Sequence, residues 1–329
     1  MIRAAKRAIV RAVLALRVMK RTPLASSADP VRNEIRAEPI HLFVDGPRDP
    51  AWNMAIDDAL LELRQAGAIT GTWVRLFGWA PAAVSIGRLQ APEAELDLAA
   101  LRAAAVPVVR RSTGGKAVYH VNELTYSLVG GVPDPTWGAN LHETYRRVSD
   151  LLVLALARLG IATTFAPRRS GGAGATRSLA AACFAVAYGH ELVHAGRKIC
   201  GSAQRRLTRA FLQHGSLLLG PEQVGLAWFL RVDGDRDALA CRLAADTIDA
   251  STAAGREITA AEMVAAVRAV LRERLGEQVV EPRELPAIVT AAALRRRPLV
   301  LLNLDAEPEL SPAPAAPGPR PAASLVSER

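Results

Sequence analysis

The stretch Arg110-Arg111-Ser112-Thr113-Gly114-Gly115-Lys116-Ala117-Val118-Tyr119-His120 decides how the rest of the chain is read. Its paired glycines stand between two β-rich segments. Glycine lets the backbone approach a ligand closely and adopt dihedrals closed to other residues. The flanking Arg110, Arg111 and Lys116 favour an anionic or carbonyl-rich ligand. Taken alone, the same residues also describe a tight β-turn with solvated charges.

On the N-terminal side, residues 40–44 read as a short strand. Asp49 followed by Pro50 suits an N-cap and first helical position, and Trp52, Ile56, Leu60 and Leu63 continue at helical spacing. Residues 72–77, 82–86 and 106–110 are β-rich runs, the first two split by Gly78-Trp79-Ala80-Pro81. On the C-terminal side, residues 118–129 read as one longer β-rich run. Residues 141–159 are helical by periodicity and end at Gly160, and 161–165 return to strand. A Gly/Ser/Ala-rich stretch at 170–178 predicts a mobile loop just before Cys183. Strands follow at 190–194 and 211–219, with Gly196 turning the chain toward Lys198. Residues 259–275 form the clearest late helix.

Strands and helices mix without strict βαβ alternation, which predicts an α+β fold, a mixed or antiparallel sheet with packed helices. The expected organisation is a basic extension over 1–36, a catalytic body over 37–280, a short helical C-terminal segment over 281–305 and a tail over 306–329. That tail holds six prolines in 24 residues and reads as disordered.

Charge narrows the function. The chain has 329 residues and a formal charge of +9, but residues 1–36 carry 9 Lys/Arg against 2 Asp/Glu. The other 293 residues hold 32 against 30, a net +2. A nucleic-acid enzyme needs its basic residues on the folded binding face, so nucleic acid is not the expected partner. Arg or Lys interrupts every long apolar stretch, which argues against a membrane span.

Cys183, Cys200 and Cys241 form neither a disulfide framework nor a four-ligand zinc site in any usual spacing. They fit a reducing cytoplasm, and any of the three is a candidate working thiol, though a free cysteine is more commonly a small buried hydrophobe. No metal and no cofactor is expected.

Two further segments stand out. In Gly196-Arg197-Lys198-Ile199-Cys200-Gly201-Ser202-Ala203-Gln204-Arg205, a lysine amid small residues can point its amine into a cleft, and Gly201, Ser202 and Ala203 leave room for a bound chain. In Ala181-Ala182-Cys183-Phe184, a thiol follows the Gly-rich stretch.

Together the segments resemble the lipoate and octanoate attachment enzymes, relatives of the biotin ligases. Residues 110–120 are similar to that family's RR-x-T-G-G-[GRK]-A-V-x-H signature. Asn53-Met54-Ala55-Ile56-Asp57, Ser85-Ile86-Gly87-Arg88-Leu89-Gln90, Glu123-Leu124-Thr125-Tyr126-Ser127, the segment around Lys198, and Gln213-His214-Gly215-Ser216 follow in the family's order over residues 50–220. Lys116 after the glycine pair, and Cys183 placed 15 residues before Lys198, resemble the octanoyltransferases first known from Gram-positive bacteria.

The resemblance implies transfer of octanoyl from an acyl carrier protein to a lysine of a lipoyl-domain protein, such as the glycine-cleavage H protein. It makes Cys183 the nucleophile and Lys198 its activator. Arg110, Arg111, Thr113, Gly114, Gly115, Lys116, Gly201, Ser202 and Ala203 would line an acyl tunnel, with His120, His214 and Gly215 beside it. A thioester is already activated, so amide formation from it needs no nucleotide. A nearby ammonium lowers the pKa of a thiol from its usual value of about 8.5.

Two departures stand out: Val121 follows His120 where the family usually has Asp, and the Pro-Ser expected after the cysteine segment is absent. An adenylating lipoate ligase, an amidotransferase between lipoyl domains and a non-catalytic lipoate or octanoate binder remain as alternatives. Cys200 is read as packing, and no general base is evident among His120, His190, His194 and His214.

Overall fold

The computed structural model describes residues 38–166, 191–232 and 234–304. The expectations for 1–36, for the 170–178 loop and Cys183, for His190 and for 306–329 lie outside the described residues.

Eleven strands form two sheets among the described residues. The larger has the order β11-β1-β2-β6-β10-β9-β8-β7, from β1 (Ile40–Arg48), β2 (Thr72–Trp79), β6 (Glu123–Gly131), β7 (Thr164–Phe165), β8 (Leu192–His194), β9 (Arg197–Arg206), β10 (Ala210–Leu218) and β11 (Val279–Val280). β1 runs parallel to β2 and β11, and all other pairs in this sheet are antiparallel. The smaller sheet has the order β4-β3-β5, from β3 (Ala83–Ile86), β4 (Val108–Arg110) and β5 (Val118–His120). The expected α+β class with a mixed sheet is the one found.

Both faces of the large sheet are covered, so its strands are apolar on both sides and read as near-continuous hydrophobic runs. Strand side chains alternate between faces. Val74, Leu76, Leu124, Tyr126 and Leu128 pack against helices α2 (Leu141–Arg158) and α4 (Ala260–Leu275). Trp73, Phe77, Val129 and Leu212 face helices α1 (Pro50–Ala66) and α5 (Ala287–Val300). A helix α3 (Arg236–Asp246) packs with the smaller sheet through Leu239 and Leu243.

The helix ends follow from the sequence. Asp49 caps α1 by accepting from the Trp52 amide at 2.9 Å, and left-handed Gly67 closes the helix. Thr259 and Glu262 form a reciprocal capping box on α4.

Several boundaries differ from the sequence reading. The run 118–129 is two strands in two sheets, because Asn122 adopts φ +44° and turns the chain between them. The first strand continues past residue 44 to Arg48, with a register shift between Val44 and Pro47. Of residues 161–165 only Thr164 and Phe165 pair.

Candidate active site

The two sheets meet around a narrow cavity. Its wall includes Met54 from α1, Trp79 at the end of β2, Ser85 on β3, Arg111, Val118 and His120 of β5, and Thr125 of β6. Gly201, Ser202 and Ala203 of β9 and His214, Gly215 and Ser216 of β10 complete it. The two β segments lie opposite each other because β9 and β10 pair antiparallel, Ser202 with Gly215 and Ala203 with His214. Gly215 is glycine for a steric reason: a Cβ there would lie 2.4 Å from the Gly201 carbonyl oxygen.

The Gly-Gly loop is fixed by its own arginines. Arg110 Nη1 donates to the Gln90 carbonyl at 2.7 Å and to those of Gly87 and Arg88 at 3.3 Å. Arg111 is buried and donates to the carbonyls of Lys116 (2.6 Å), Gly114 (3.0 Å) and Ser85 (3.2 Å) and to Ser85 Oγ (3.0 Å). The loop lies against Gly87, where a Cβ would come within 2.2 Å of the Gly115 carbonyl oxygen. Gly115 itself has φ +95°, which favours glycine.

Two buried polar networks flank the cavity. In the first, Asp57 on α1 accepts from Arg75 Nη1 at 2.5 Å and from Ser127 Oγ at 2.8 Å, and meets His214 Nδ1 at 3.2 Å. His214 Nε2 lies 2.7 Å from Thr113 Oγ1 in the Gly-Gly loop. Burial by itself pushes the Asp57 carboxyl up, but the Arg75 charge and the hydrogen bonds from His214 and Ser127 outweigh it and hold the group below the usual carboxylate range. In the second, His120 Nε2 lies 2.7 Å from Ser85 Oγ and His120 Nδ1 lies 2.8 Å from Glu123 Oε1. Glu123 Oε1 also accepts from Thr125 and Ser216, and Trp79 stacks on the His120 ring at 3.8 Å between centroids. Each histidine is thus backed by a carboxylate, and both of its nitrogens are engaged.

Among the sequence-predicted residues, Arg111, His120, Gly201, Ser202, Ala203, His214 and Gly215 line the cavity. Thr113 stands behind His214, and Arg110, Gly114 and Gly115 shape the loop rather than the wall. Lys116 is 41% exposed on its side chain, and its Nζ lies 3.9 Å from Glu95 on the surface. Lys198 is 2% exposed, and its Nζ donates to Glu191 Oε1 at 2.6 Å. Its strand is tied to the chain beyond α3 by the Ile248 amide, which donates to the Lys198 carbonyl at 2.9 Å. Cys183 lies outside the described residues. Cys200 is 1% exposed, and burial pushes its thiol up to about 12. Such a thiol is essentially un-ionised at neutral pH, which fits a packing role.

The site also holds residues that were not singled out individually: Asp57, Arg75, Trp79, Ser85, Glu123 and Glu191. Arg75 carries a signal, a lone charge in the middle of the apolar run Thr72–Trp79, where burial demands a partner. Asp57 and Asn53 sit one turn apart beside the apolar Ile56 and Leu60, a polar pair on a buried helix face. Among the described residues, no three His, Cys, Asp or Glu side chains are grouped to hold a metal ion, and no helix is long and apolar enough to cross a membrane.

An α+β sheet domain enclosing a narrow cavity behind a glycine loop agrees with the comparisons. The lipoyl protein ligase A/B catalytic domain matches residues 49–272, and the chain belongs to that family. The octanoyltransferase LipM of Kyrpidia tusciae is 37% identical over 249 residues, covering 75% of this chain and 90% of that protein. The LipM of Geobacillus kaustophilus is 41% identical over 186 residues, 56% of this chain and 66% of that protein. These relatives place the chain among the octanoyltransferases of the family. A solved archaeal structure, a bipartite lipoate protein ligase and its E2 lipoyl domain from Thermoplasma acidophilum, shares the fold, with a TM-score of 0.62 at 19% identity over 80% of this chain and 92% of that one.

Proposed function

We propose that the protein transfers octanoyl from the thioester of an acyl carrier protein to a lysine of a lipoyl-domain protein through an acyl-Cys183 intermediate. The observation that carries the reading is the joint presence of Cys183 15 residues before buried Lys198 and a cavity walled by the Gly201–Ala203 and His214–Ser216 segments.

The steps balance without a nucleotide. The Cys183 thiolate attacks the donor carbonyl, and the carrier's sulfur leaves as a thiolate that takes up a proton from solvent. The neutral ε-amine of the acceptor lysine then attacks the acyl-cysteine, an amide forms as the nitrogen gives up one proton to solvent, and Cys183 leaves as thiolate. Lys198 supplies the positive charge for the thiolate, in partnership with the Glu191 carboxylate. Seven residues lie between Cys183 and Glu191, eight Cα-to-Cα steps with a reach of at most about 29 Å. Cytoplasmic reducing conditions suit a working thiol of this kind.

The cavity has a volume of about 30 Å³ in this state, room for roughly one water molecule. Entry of an acyl chain therefore needs wall side chains to yield. Met54, with three rotatable bonds, is the most adaptable of them.

The test is octanoylation of a purified lipoyl domain with either octanoyl carrier protein or free octanoate plus ATP. Transfer from the carrier alone supports the proposal. Transfer from free acid that needs ATP and survives Cys183→Ala supports an adenylating ligase instead, and binding of octanoate without transfer supports a non-catalytic binder.

A further inference from the structure

A second cavity, of about 230 Å³, lies beside the first, with Arg111 lining both. Its wall brings Arg88, Arg110, Arg111, Arg205 and Arg296 together with Asp58 and Glu62. Five guanidinium groups against two carboxyl groups leave a formal charge of +3. The arginines are not equivalent. Arg110 and Arg111 are committed to loop carbonyls, and Arg296 pairs with Glu62. The side chains of Arg88 and Arg205 make no hydrogen bond and no close ion pair among the described residues, although the Arg205 charge acts at longer range on the Asp58 carboxyl. The negative charge here is also weakened, since burial, helped by the adjacent Asp57, raises the Asp58 carboxyl above its ordinary value against the opposing pull of Ser112, His214 and Arg205. Leu299, which lines the cavity, is 77% exposed.

An arginine fork matches a phosphate oxygen pair, and a site that gathers uncommitted guanidinium groups in a partly closed space favours that anion over a dispersed negative surface. A pantetheine arm is a flexible spacer with a phosphodiester at one end and a thioester at the other. Such a donor needs an anion site and an acyl site in one neighbourhood, and the shared Arg111 provides that.

We infer that the Arg88–Arg205 cavity receives the phosphodiester of a pantetheine-borne donor. This rests on the thioester-transfer reading above and adds the group by which the donor is held. Nucleotide phosphates share the chemistry, so the test must separate the two sources.

Four donors are compared on wild type and on R88A/R205A with a lipoyl-domain acceptor: octanoyl-pantetheine, octanoyl-4′-phosphopantetheine, octanoyl carrier protein, and free octanoate with ATP. The expected result is a KM on the order of ten-fold higher, or more, for the two phosphate-bearing thioesters, with kcat unchanged. Octanoyl-pantetheine should be used equally well by both proteins. R88K/R205K should recover part of the loss, because lysine restores the charge without the fork. An equal rise in KM for octanoyl-pantetheine, no change for any donor, or ATP-dependent transfer from free octanoate that the same variant weakens would each overturn the inference. Wild type that uses none of the thioesters instead overturns the underlying reaction, a separate outcome.

Discussion

Asp57 on α1 and His214 on β10, 157 residues apart in the chain, meet at 3.2 Å between Oδ2 and Nδ1. The contact makes α1 the back wall of the site and carries its charge through His214 to Thr113 in the Gly-Gly loop. With the carboxylate accepting, Nδ1 donates, and in the neutral ring Nε2 accepts from the Thr113 hydroxyl.

Replacing Asp57 leaves Arg75, which is 0% exposed, without its main partner. Asp57→Asn should destabilise the protein by about 3–5 kcal/mol, the usual penalty for breaking a buried ion pair. Urea unfolding at pH 7 reads the loss, and a change below about 1 kcal/mol contradicts the assignment.

The same pair sets an acid limit. The folded-state carboxyl of Asp57 lies below its unfolded value, so the stability it contributes is present above an unfolded pKa of about 3.9 and is lost as pH falls through the depressed folded value. Wild type should therefore lose stability steeply below about pH 4, and Asp57→Asn less steeply. Unfolding curves collected across that range check the difference in slope.

Cysteine labelling separates the thiols. Cys200 is buried with its thiol pushed up to about 12, whereas Cys241 is exposed on α3. Brief treatment of the native protein with a thiol reagent at pH 8, followed by peptide mapping, should modify Cys241 and spare Cys200. Cys200→Ala should retain transfer activity, and rapid labelling of Cys200 contradicts its burial.

Glu191 and Lys198 pose a question of structure against function. Glu191→Gln breaks a buried pair and should cost about 3–5 kcal/mol. Replacing both partners by apolar residues, as in Glu191→Leu with Lys198→Met, should recover most of the stability. The double variant should still lack transfer activity. Recovery of activity along with stability shows that the lysine charge is dispensable.

Gly87 tests the loop. A Cβ at this position meets the Gly115 carbonyl oxygen at 2.2 Å and the Gly114 and Gly115 carbonyl carbons at 3.1 Å, all backbone, which must shift to make room. Gly87→Ala should lower kcat/KM by an order of magnitude or more through displacement of the loop, on the reasoning that small misplacements near the chemistry are costly. Unaltered kinetics contradict the packing argument.

The parts of this arrangement legible in the sequence are those with local causes. Asp49-Pro50 fixes the start of α1, Thr259 and Glu262 the start of α4, and the order of short motifs the neighbourhood of the site. The break inside 118–129 was not legible, because it depends on Asn122 taking a left-handed conformation that no glycine or proline beside it announces. Arg110 and Arg111 read equally well as ligand contacts, and only the folded loop shows them satisfied by carbonyls. The pairing of Asp57 with His214 joins segments whose proximity is set by the sheet, with no local spacing to reveal it, whereas Glu191 and Lys198 face each other across the β8–β9 hairpin, where the Gly196 turn was legible but the choice of partner was not.

Intact-mass analysis after mixing the protein with octanoyl carrier protein shows whether Cys183 carries the acyl group. The expected result is one hydroxylamine-labile octanoyl adduct on wild type and on Cys200→Ala, and none on Cys183→Ser. An adduct that persists in Cys183→Ser but disappears in Cys200→Ala, or transfer that proceeds in full without any adduct, contradicts it.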